Sequence, residues 1–589
     1  MYSAPIKELN FALHAVLDAG SLNKTGRYAE YAEDVGIAVL EEAGKFASEV
    51  LDPLNASGDR TGAKHSPQNV IMPQGYRDAY AQFVAAGWPQ LGVETEIGGQ
   101  GMPQVISSAV EEIWFGANMG FMLCPMLANG AIEALRIAGS DALKARFLPE
   151  LVSGETTGTM NLTEPSAGSD LAAIRTRAVE SGDHYRIHGQ KIFITYGDHD
   201  LTGNIIHLVL ARIDGAPAGV KGISLFVVPK KLKQPDGTLI TNDLRCVSIE
   251  HKLGIHASPT CVMSFGDKEG AVGYLVGEAH HGLEYMFIMM NKARLAVGIQ
   301  GIGITERAFQ QASAWARTRV QGKPIGQKSD KALTIIHHPD VKRMLLTMKS
   351  GVQAMRLLGL YAALQLDKAH SLAEVQAAKI ALSRAELLIP IVKGWCTEWA
   401  NELISTGVQI HGGMGYIEET GIAQTLRDAR IAAIYEGTTG IQANDLLGRK
   451  LGRDHGATML RLIEEVQQDL HRCRDQGADI EATQHALRLL HEVTEFMLIQ
   501  LTNAPAQAYA VSVPYLMLCG FTLGGWLTTR ASCIAAQHLA GGGDDRDFLQ
   551  SKIQSGRFYI DHILPTAHAL AAVVRNGGDS VVDAEVELI

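Results

Sequence analysis

The stretch Gly158-Thr159-Met160-Asn161-Leu162-Thr163-Glu164-Pro165-Ser166-Ala167-Gly168-Ser169-Asp170 marks a change of pattern. From here to about residue 273 the runs are short, β-branched and alternating: HYRIHG, QKIFITYG, NIIHLVLARI, GISLFVVPK, RCVSIEH and TCVMSFG, separated by Gly, Asp, Pro and Asn. Several short strands at such spacing predict a compact antiparallel barrel or sandwich. On either side the periodicity is helical. Val35, Val39, Ala43, Phe46 and Val50 recur at helical intervals before it, and Leu295, Ile299, Ile302, Glu306 and Phe309 after it. The polar, turn-rich residues 51–73 read as a loop. The fold class is therefore α+β, mostly α. We divide it into an N-terminal extension (1–35), an N-terminal α-helical domain (36–157), a middle antiparallel β-barrel domain (158–275), a helical-bundle domain (276–455) and an additional C-terminal helical domain (456–589).

The whole-chain numbers set limits. At 589 residues the chain exceeds one core, and 46% hydrophobic against 20% charged residues excludes disorder. With 52 Lys plus Arg against 63 Asp plus Glu, the net charge of −11 offers no basic excess for nucleic acid. The seven cysteines include no C-x-x-C pair, so neither a disulfide framework nor a zinc ribbon is expected. Lys7 and Glu8 interrupt the N-terminal run, so no signal peptide is expected and the location predicted is cytoplasmic. Residues 496–529 carry no charge, but Asn503, Pro505, Gln507, Ser512 and Pro514 argue for a buried helix and against a membrane span. Gly298-Ile299-Gln300-Gly301-Ile302-Gly303 has Glu306 where a dinucleotide fingerprint needs Gly, and His491-Glu492-Val493-Thr494-Glu495 lacks the second His of a zincin helix.

Three segments carry chemistry. The Gly/Ser-rich turn after Met160 exposes N–H groups and hydroxyls suited to an anionic or multi-acceptor ligand, or is an ordinary Asx or Ser turn. In Gly189-Gln190-Lys191-Ile192-Phe193-Ile194-Thr195-Tyr196-Gly197 alternation puts Phe193 and Thr195 on one strand face. That face suits a flat heterocycle, although core packing by Phe193 is the simpler reading. In Ile434-Tyr435-Glu436-Gly437-Thr438-Thr439-Gly440-Ile441-Gln442 a carboxylate stands among apolar residues, either as a general base or as a solvated loop residue.

Together, in this order and layout, these segments resemble the acyl-CoA dehydrogenase family of flavoproteins. NLTEPSAGSD is similar to its first signature, GQKIFITYG to the strand beside the flavin, with Phe193 where Trp is usual, and RDARIAAIYEGTTGIQ to its second signature. QIHGGMGY resembles the segment that meets the cofactor of the neighbouring subunit. MYSAPIKELNFALH and the long C-terminal block resemble an extended subfamily that includes 3-methylmercaptopropionyl-CoA dehydrogenases and related bacterial long-form enzymes.

The resemblance implies FAD as cofactor and α,β-dehydrogenation of an acyl-CoA thioester. Glu436 matches the base that takes the Cα proton while a hydride passes from Cβ to flavin N5. The thioester oxygen is held in the family by the N–H of that Glu and a ribityl hydroxyl. Some relatives carry the base on an earlier helix; the matching residue here is Ala293, which transfers no proton. Met160, Asn161, Leu162, Thr163, Gly168, Ser169, Phe193, Ile194 and Thr195 match the flavin side. Arg319, His338, Gln409, Gly413 and Thr438 match further FAD contacts, several of them across a dimer interface. Ser169, Asn291 and Arg294 match substrate contacts, with Asn291 where Asp is usual. Trp114, Phe115 and Phe121 are candidate liners of the acyl pocket. The implied partners are an acyl-CoA substrate, either fatty acyl or 3-methylmercaptopropionyl, electron-transfer flavoprotein, and a second copy of the chain in a homodimer. An acyl-CoA oxidase and a non-catalytic acyl-CoA-binding relative are the alternatives.

Overall fold

The β-branched runs pair as eight strands: β1 (Thr156–Asn161), β2 (Arg177–Ser181), β3 (His184–Thr195), β4 (Asn204–Ile213), β5 (Ile223–Pro229), β6 (Leu244–Ile249), β7 (Thr260–Phe265) and β8 (Ala271–Val276). This is a computed structural model describing residues 2–67, 69–326, 331–543 and 545–589. The sheet runs β6-β7-β3-β8-β5-β4-β1, and β2 pairs with both β3 and β4. Because β3 meets β7, β8 and β2 along its twelve residues, the ring β3-β8-β5-β4-β2 closes on itself as a barrel. Its interior is filled by Ile187, Ile194, Val209, Phe226, Val228 and Phe265, all buried. The expectation of an antiparallel barrel holds for most pairs, but β1–β4 and β2–β4 are parallel. A parallel neighbour needs a long return connection, which for β1 and β4 is the intervening β2–β3 hairpin.

Two imidazoles are sealed in this β region. Leu201 N–H donates to His199 Nδ1 at 3.2 Å, leaving Nε2 to meet Thr157 Oγ1 at 2.9 Å, and His207 Nδ1 lies 2.7 Å from Thr159 Oγ1. Burial, with help from the Lys230 ammonium, pushes both down to about 3.

The chain divides into two compact units. The first, Phe46–Met102 and Ala117–Ala296, holds the barrel and a helical part. Here the structure corrects the loop expected over residues 51–73: Asp52–Thr61 is a helix. Two of its polar residues, Asn55 and Asp59, are buried, and Gly58 is so close to the Tyr76 ring that a Cβ would lie 2.5 Å from the hydroxyl. Tertiary packing overrides their turn preference. Asn118 breaks the Gln104–Ala138 helix at φ −154°, its amide donating to Leu51 O at 3.1 Å. Phe121 then joins Tyr76, Tyr80 and Phe83 in an aromatic core.

The second unit, Tyr2–Lys45, Pro103–Gly116 and Val297–Ile589, is helical. Three helices meet at a buried Arg356, which donates to Glu112 at 2.8 Å and Glu306 at 2.7 Å. The uncharged residues 496–529 pass through the helices Glu481–Asn503, Pro505–Ala510 and Ser512–Ala540. Phe521 of the last packs edge-on to Trp395 and Trp399, so the buried-helix reading stands. Among the described residues one helix, Gln104–Ala138, is long and apolar enough to cross a membrane, and 72% of its most apolar window is buried inside the protein. The N-terminal residues are pinned to the C-terminal helices: Glu8 pairs with Lys552, Lys7 with Asp545 at 2.6 Å, and the Phe11 and Phe548 rings meet edge to face at 5.6 Å.

The buried imidazoles give the fold a pH limit. An unfolded histidine titrates near about 6.5, so each lowered folded pKa supplies stability that is complete above that pH and is lost as pH falls through it toward 3. The slope contributed is about 1.4 kcal/mol per pH unit for each imidazole. Thermal unfolding followed between pH 8 and pH 5 should show Tm falling below 6.5, with a shallower fall in His207→Gln. Equal slopes in the two proteins would contradict this.

Candidate functional site

In the first unit the site begins with an irregularity in β3. Opposite β7, Thr195 faces Thr260 and Ile194 faces Cys261, but Lys191 faces Met263, so β3 carries one extra residue. Phe193 takes it up at φ 59°. The bulge reverses the strand's alternation. Lys191 and Ile194 are both buried, whereas Phe193 is 59% exposed and Thr195 half-buried. Phe193 and Thr195 thus share an open face as alternation predicts, and core packing by Phe193 is excluded.

The Met160–Asp170 segment is strapped to this strand. Ile192 N–H donates to Thr163 O at 2.9 Å. The Lys191 ammonium, fully buried, donates to Leu162 O at 3.0 Å and to Glu164 Oε1 at 2.8 Å. Glu164 also accepts from the N–H groups of Arg175 at 2.6 Å and Thr176 at 3.0 Å. Burial drives the Lys191 pKa down to about 8 against the pull of Glu164. Burial alone would raise the Glu164 carboxyl, but Lys191 and these donors hold it below the usual carboxylate range. Reciprocal bonds between Glu164 and Ala167, at 2.9 and 3.0 Å, close a tight turn that leaves Gly168 and Ser169 exposed. Met160 and Asn161 are buried at the end of β1; Leu162 and Thr163 are half-buried. Asn161 donates to Thr159 Oγ1 at 2.8 Å while its own Oδ1, also buried, meets no donor among the described residues. On the Gly282–Thr318 helix Asn291 is half-buried, and Ala293 and Arg294 are buried. Of the candidate pocket liners, Phe121 belongs to the aromatic core. In the second unit Phe115 is buried and the Trp114 indole N–H donates to Ala43 O at 3.1 Å.

In the second unit Glu436 and Gly437 form a left-handed turn, at φ 55° and 88°. For a non-glycine residue this conformation costs on the order of 1–3 kcal/mol and persists only when its surroundings impose it. The surroundings are specific. Gln442 Nε2 donates to the carbonyls of Glu436 at 3.0 Å and Gly437 at 3.2 Å, and Lys393 Nζ to that of Gly437 at 2.7 Å. Thr439 Oγ1 donates to Glu398 at 2.5 Å, and the Tyr435 hydroxyl to Gln300. Glu436 is half-buried, and Thr438 caps the Thr439–Asn444 helix by accepting from Ile441 N–H.

The other expected FAD contacts in this unit form two groups. Arg319 is exposed at the end of Gly282–Thr318, its carbonyl accepting from Ile335 N–H at 2.8 Å. His338 returns to the same loop through Nε2, 2.8 Å from Gln321 O. Gln409 and Gly413 are exposed at the end of Val375–His411, beside the exposed Met414, Tyr416 and Ile417.

Lys191 with Glu164, and Lys393 with Gln442, are the supporting residues that sequence reasoning passed over. A signal was present: Lys393 is an isolated charge in an apolar run, and Lys191 opens the apolar Ile192-Phe193-Ile194.

Family models match the chain in succession: Acyl-CoA dehydrogenase, N-terminal domain over residues 37–155, middle domain over 159–268 and C-terminal domain over 280–451, then Acetyl-CoA dehydrogenase C-terminal like over 462–585. The chain belongs to the acyl-CoA dehydrogenase family. These are FAD-dependent dehydrogenases of acyl-CoA thioesters. A 3-methylmercaptopropionyl-CoA dehydrogenase from Ruegeria pomeroyi is 47% identical over 593 residues, spanning 99% of this chain and 100% of the relative. The fold matches Caenorhabditis elegans ACDH-11 in complex with C11-CoA at TM-score 0.77, with 21% identity over 100% of this chain and 96% of that one. It also matches a Bacillus anthracis acyl-CoA dehydrogenase complexed with FAD at TM-score 0.73, with 19% identity over 97% and 94%.

The residues of this dehydrogenase fit a flavin. An aromatic ring held open to solvent by a strand bulge offers an apolar plane, and Thr163, Thr195 and the buried, unsatisfied Asn161 Oδ1 supply polar groups near the same strands. Breaking the strap beneath them should show. Lys191→Met leaves Glu164 buried without its cation and should destabilise the protein by about 3–5 kcal/mol. Lys191→Met with Glu164→Gln should recover a large part of that loss in urea unfolding; a double variant no more stable than the single one would contradict the pairing.

Proposed function

We propose that this dehydrogenase converts 3-methylmercaptopropionyl-CoA to its 2-enoyl thioester, with Glu436 as the base. The observation that carries the reading is the left-handed turn that presents Glu436. Its strain is maintained by three hydrogen bonds from the buried Lys393 and Gln442 to its carbonyls, and its flanks are held by bonds from Tyr435 and Thr439 to Gln300 and Glu398, which a solvated loop glutamate has no use for. The substrate follows from the 47% identity with a dehydrogenase of that thioester, which extends through the C-terminal helices.

In the first unit Met160 to Thr163, Gly168, Ser169 and Phe193 to Thr195 would hold FAD. Arg319, His338, Gln409, Gly413 and Thr438 match further FAD contacts of the family, several of them made across a dimer interface. When bound, FAD supplies the acceptor for the hydride that leaves Cβ. Glu436 takes the Cα proton as the C–H bond breaks, and its backbone N–H donates to the thioester oxygen on which negative charge develops. Asn291 and Arg294 meet the CoA arm with Ser169. Electron-transfer flavoprotein takes the electrons onward, the partner implied by the family resemblance.

The direct test is an anaerobic titration of the FAD-loaded enzyme with 3-methylmercaptopropionyl-CoA and a panel of fatty acyl-CoAs, following flavin bleaching. The thioether substrate should bleach it fastest. Glu436→Gln should keep FAD and bind substrate, yet reduce the flavin at least roughly 10²–10⁴-fold more slowly. Normal turnover by that variant would refute the base assignment.

A homodimer completes the reading. Met414, Tyr416 and Ile417 are 44%, 88% and 43% exposed beside Gln409 and Gly413, an apolar surface that favours burial against a second copy. Light scattering should give twice the chain mass, and Tyr416→Asp should shift it toward the monomer. A tetramer mass, or no response to the substitution, would contradict this.

A further inference from the structure

We propose that Lys393 is a positioning residue for Glu436; the inference rests on the reading of Glu436 as the base. Lys393 lies in the Val375–His411 helix within the run Leu387, Leu388, Ile389, Pro390, Ile391, Val392, all buried like Lys393 itself. Burial of an ammonium is costly unless its hydrogen bonds are replaced. Here it donates to the Gly437 carbonyl at 2.7 Å. Gln442, equally buried, donates to the same carbonyl and to that of Glu436. Two consecutive peptide carbonyls are thus drawn toward Lys393 and Gln442. These peptides are trans, so each N–H points opposite its carbonyl, and the N–H groups of Gly437 and Thr438 are turned away from the donors that hold those carbonyls. One anchored plane follows each left-handed residue, Glu436 at φ 55° and Gly437 at φ 88°, so Lys393 reaches Glu436 through Gly437.

The chemistry follows from that geometry. A non-glycine residue leaves the left-handed region when nothing holds it there. Without Lys393 the Gly437 carbonyl depends on one shared donor, and the turn is free to relax toward the right-handed region. The carboxylate then moves off the line to the substrate Cα. A displacement of about 1 Å at a reacting group is enough to cost roughly 10²-fold in rate. Through the Gly437 carbonyl, Lys393 holds the backbone that carries the base.

The test uses full-length, FAD-loaded enzyme with Lys393→Met, which removes the donor, and Lys393→Gln, a shorter neutral donor. Rates are taken per bound flavin by anaerobic stopped flow with 3-methylmercaptopropionyl-CoA, unlabelled and Cα-deuterated. We expect kcat to fall roughly 10²-fold in Lys393→Met and less in Lys393→Gln, with KM within about threefold. The Cα isotope effect on flavin reduction should rise as proton abstraction limits the rate more. A merely structural role lowers flavin content and Tm while leaving rate and isotope effect per bound flavin unchanged. That result, a raised KM at unchanged kcat, or failure of both variants to fold would overturn the proposal. If the unsubstituted enzyme bleaches and Glu436→Gln does not, a normal Lys393→Met removes the positioning role alone. If Glu436→Gln turns over normally, the base assignment falls and the positioning role with it.

Discussion

A single buried cation organises the candidate flavin site. Lys191 joins segments 27 residues apart, holding Leu162 and Glu164 against the β3 strand from inside the barrel. The pair is stable where it sits because its charges are satisfied by more than each other: two backbone N–H groups complete the Glu164 carboxylate. With that strap in place the Gly/Ser turn needs no packing of its own, and Gly168 and Ser169 remain open. The bulge beside it does the complementary work. It sends Lys191 inward and Phe193 outward from positions that strict alternation would have put on the same face.

The second unit solves a related problem with the same device. Glu436 must project from a conformation its side chain disfavours, and an isolated lysine among apolar residues meets the backbone on the other side. In both places a buried lysine anchors a main-chain carbonyl. Lys191 donates to the Leu162 carbonyl as well as to Glu164, and Lys393 donates to the Gly437 carbonyl.

Much of this was legible before any coordinates. Helix, barrel and helical blocks follow from a change of hydrophobic period, and the three motifs follow from composition at fixed spacing. The uncharged residues 496–529 were legible as a buried helix because their Pro, Asn and Gln make a poor membrane segment, and Phe521 accordingly meets Trp395 and Trp399. What was hidden depended on partners distant in sequence. Asp52–Thr61 reads as a loop by propensity and becomes a helix because Gly58 admits the Tyr76 ring. The parallel pairing of β1 with β4 depends on the route of the connection, which no local pattern encodes. The bulge at Phe193 needs a strand register, and the role of Lys393 needs the neighbouring turn.

The pairing of Glu8 with Lys552 bridges 544 residues of chain, and the Phe11–Phe548 contact joins the same two segments. These contacts have a consequence for synthesis. At about 5–20 residues per second, the partner of Glu8 leaves the ribosome roughly half a minute to two minutes after Glu8 itself. Throughout that interval Phe11 lacks the Phe548 ring, although the Pro339–Ser371 helix, whose Gln353 donates to Glu8, emerges earlier. The last helices to emerge complete the cover of the first, so the earliest residues made are among the last to be fully packed.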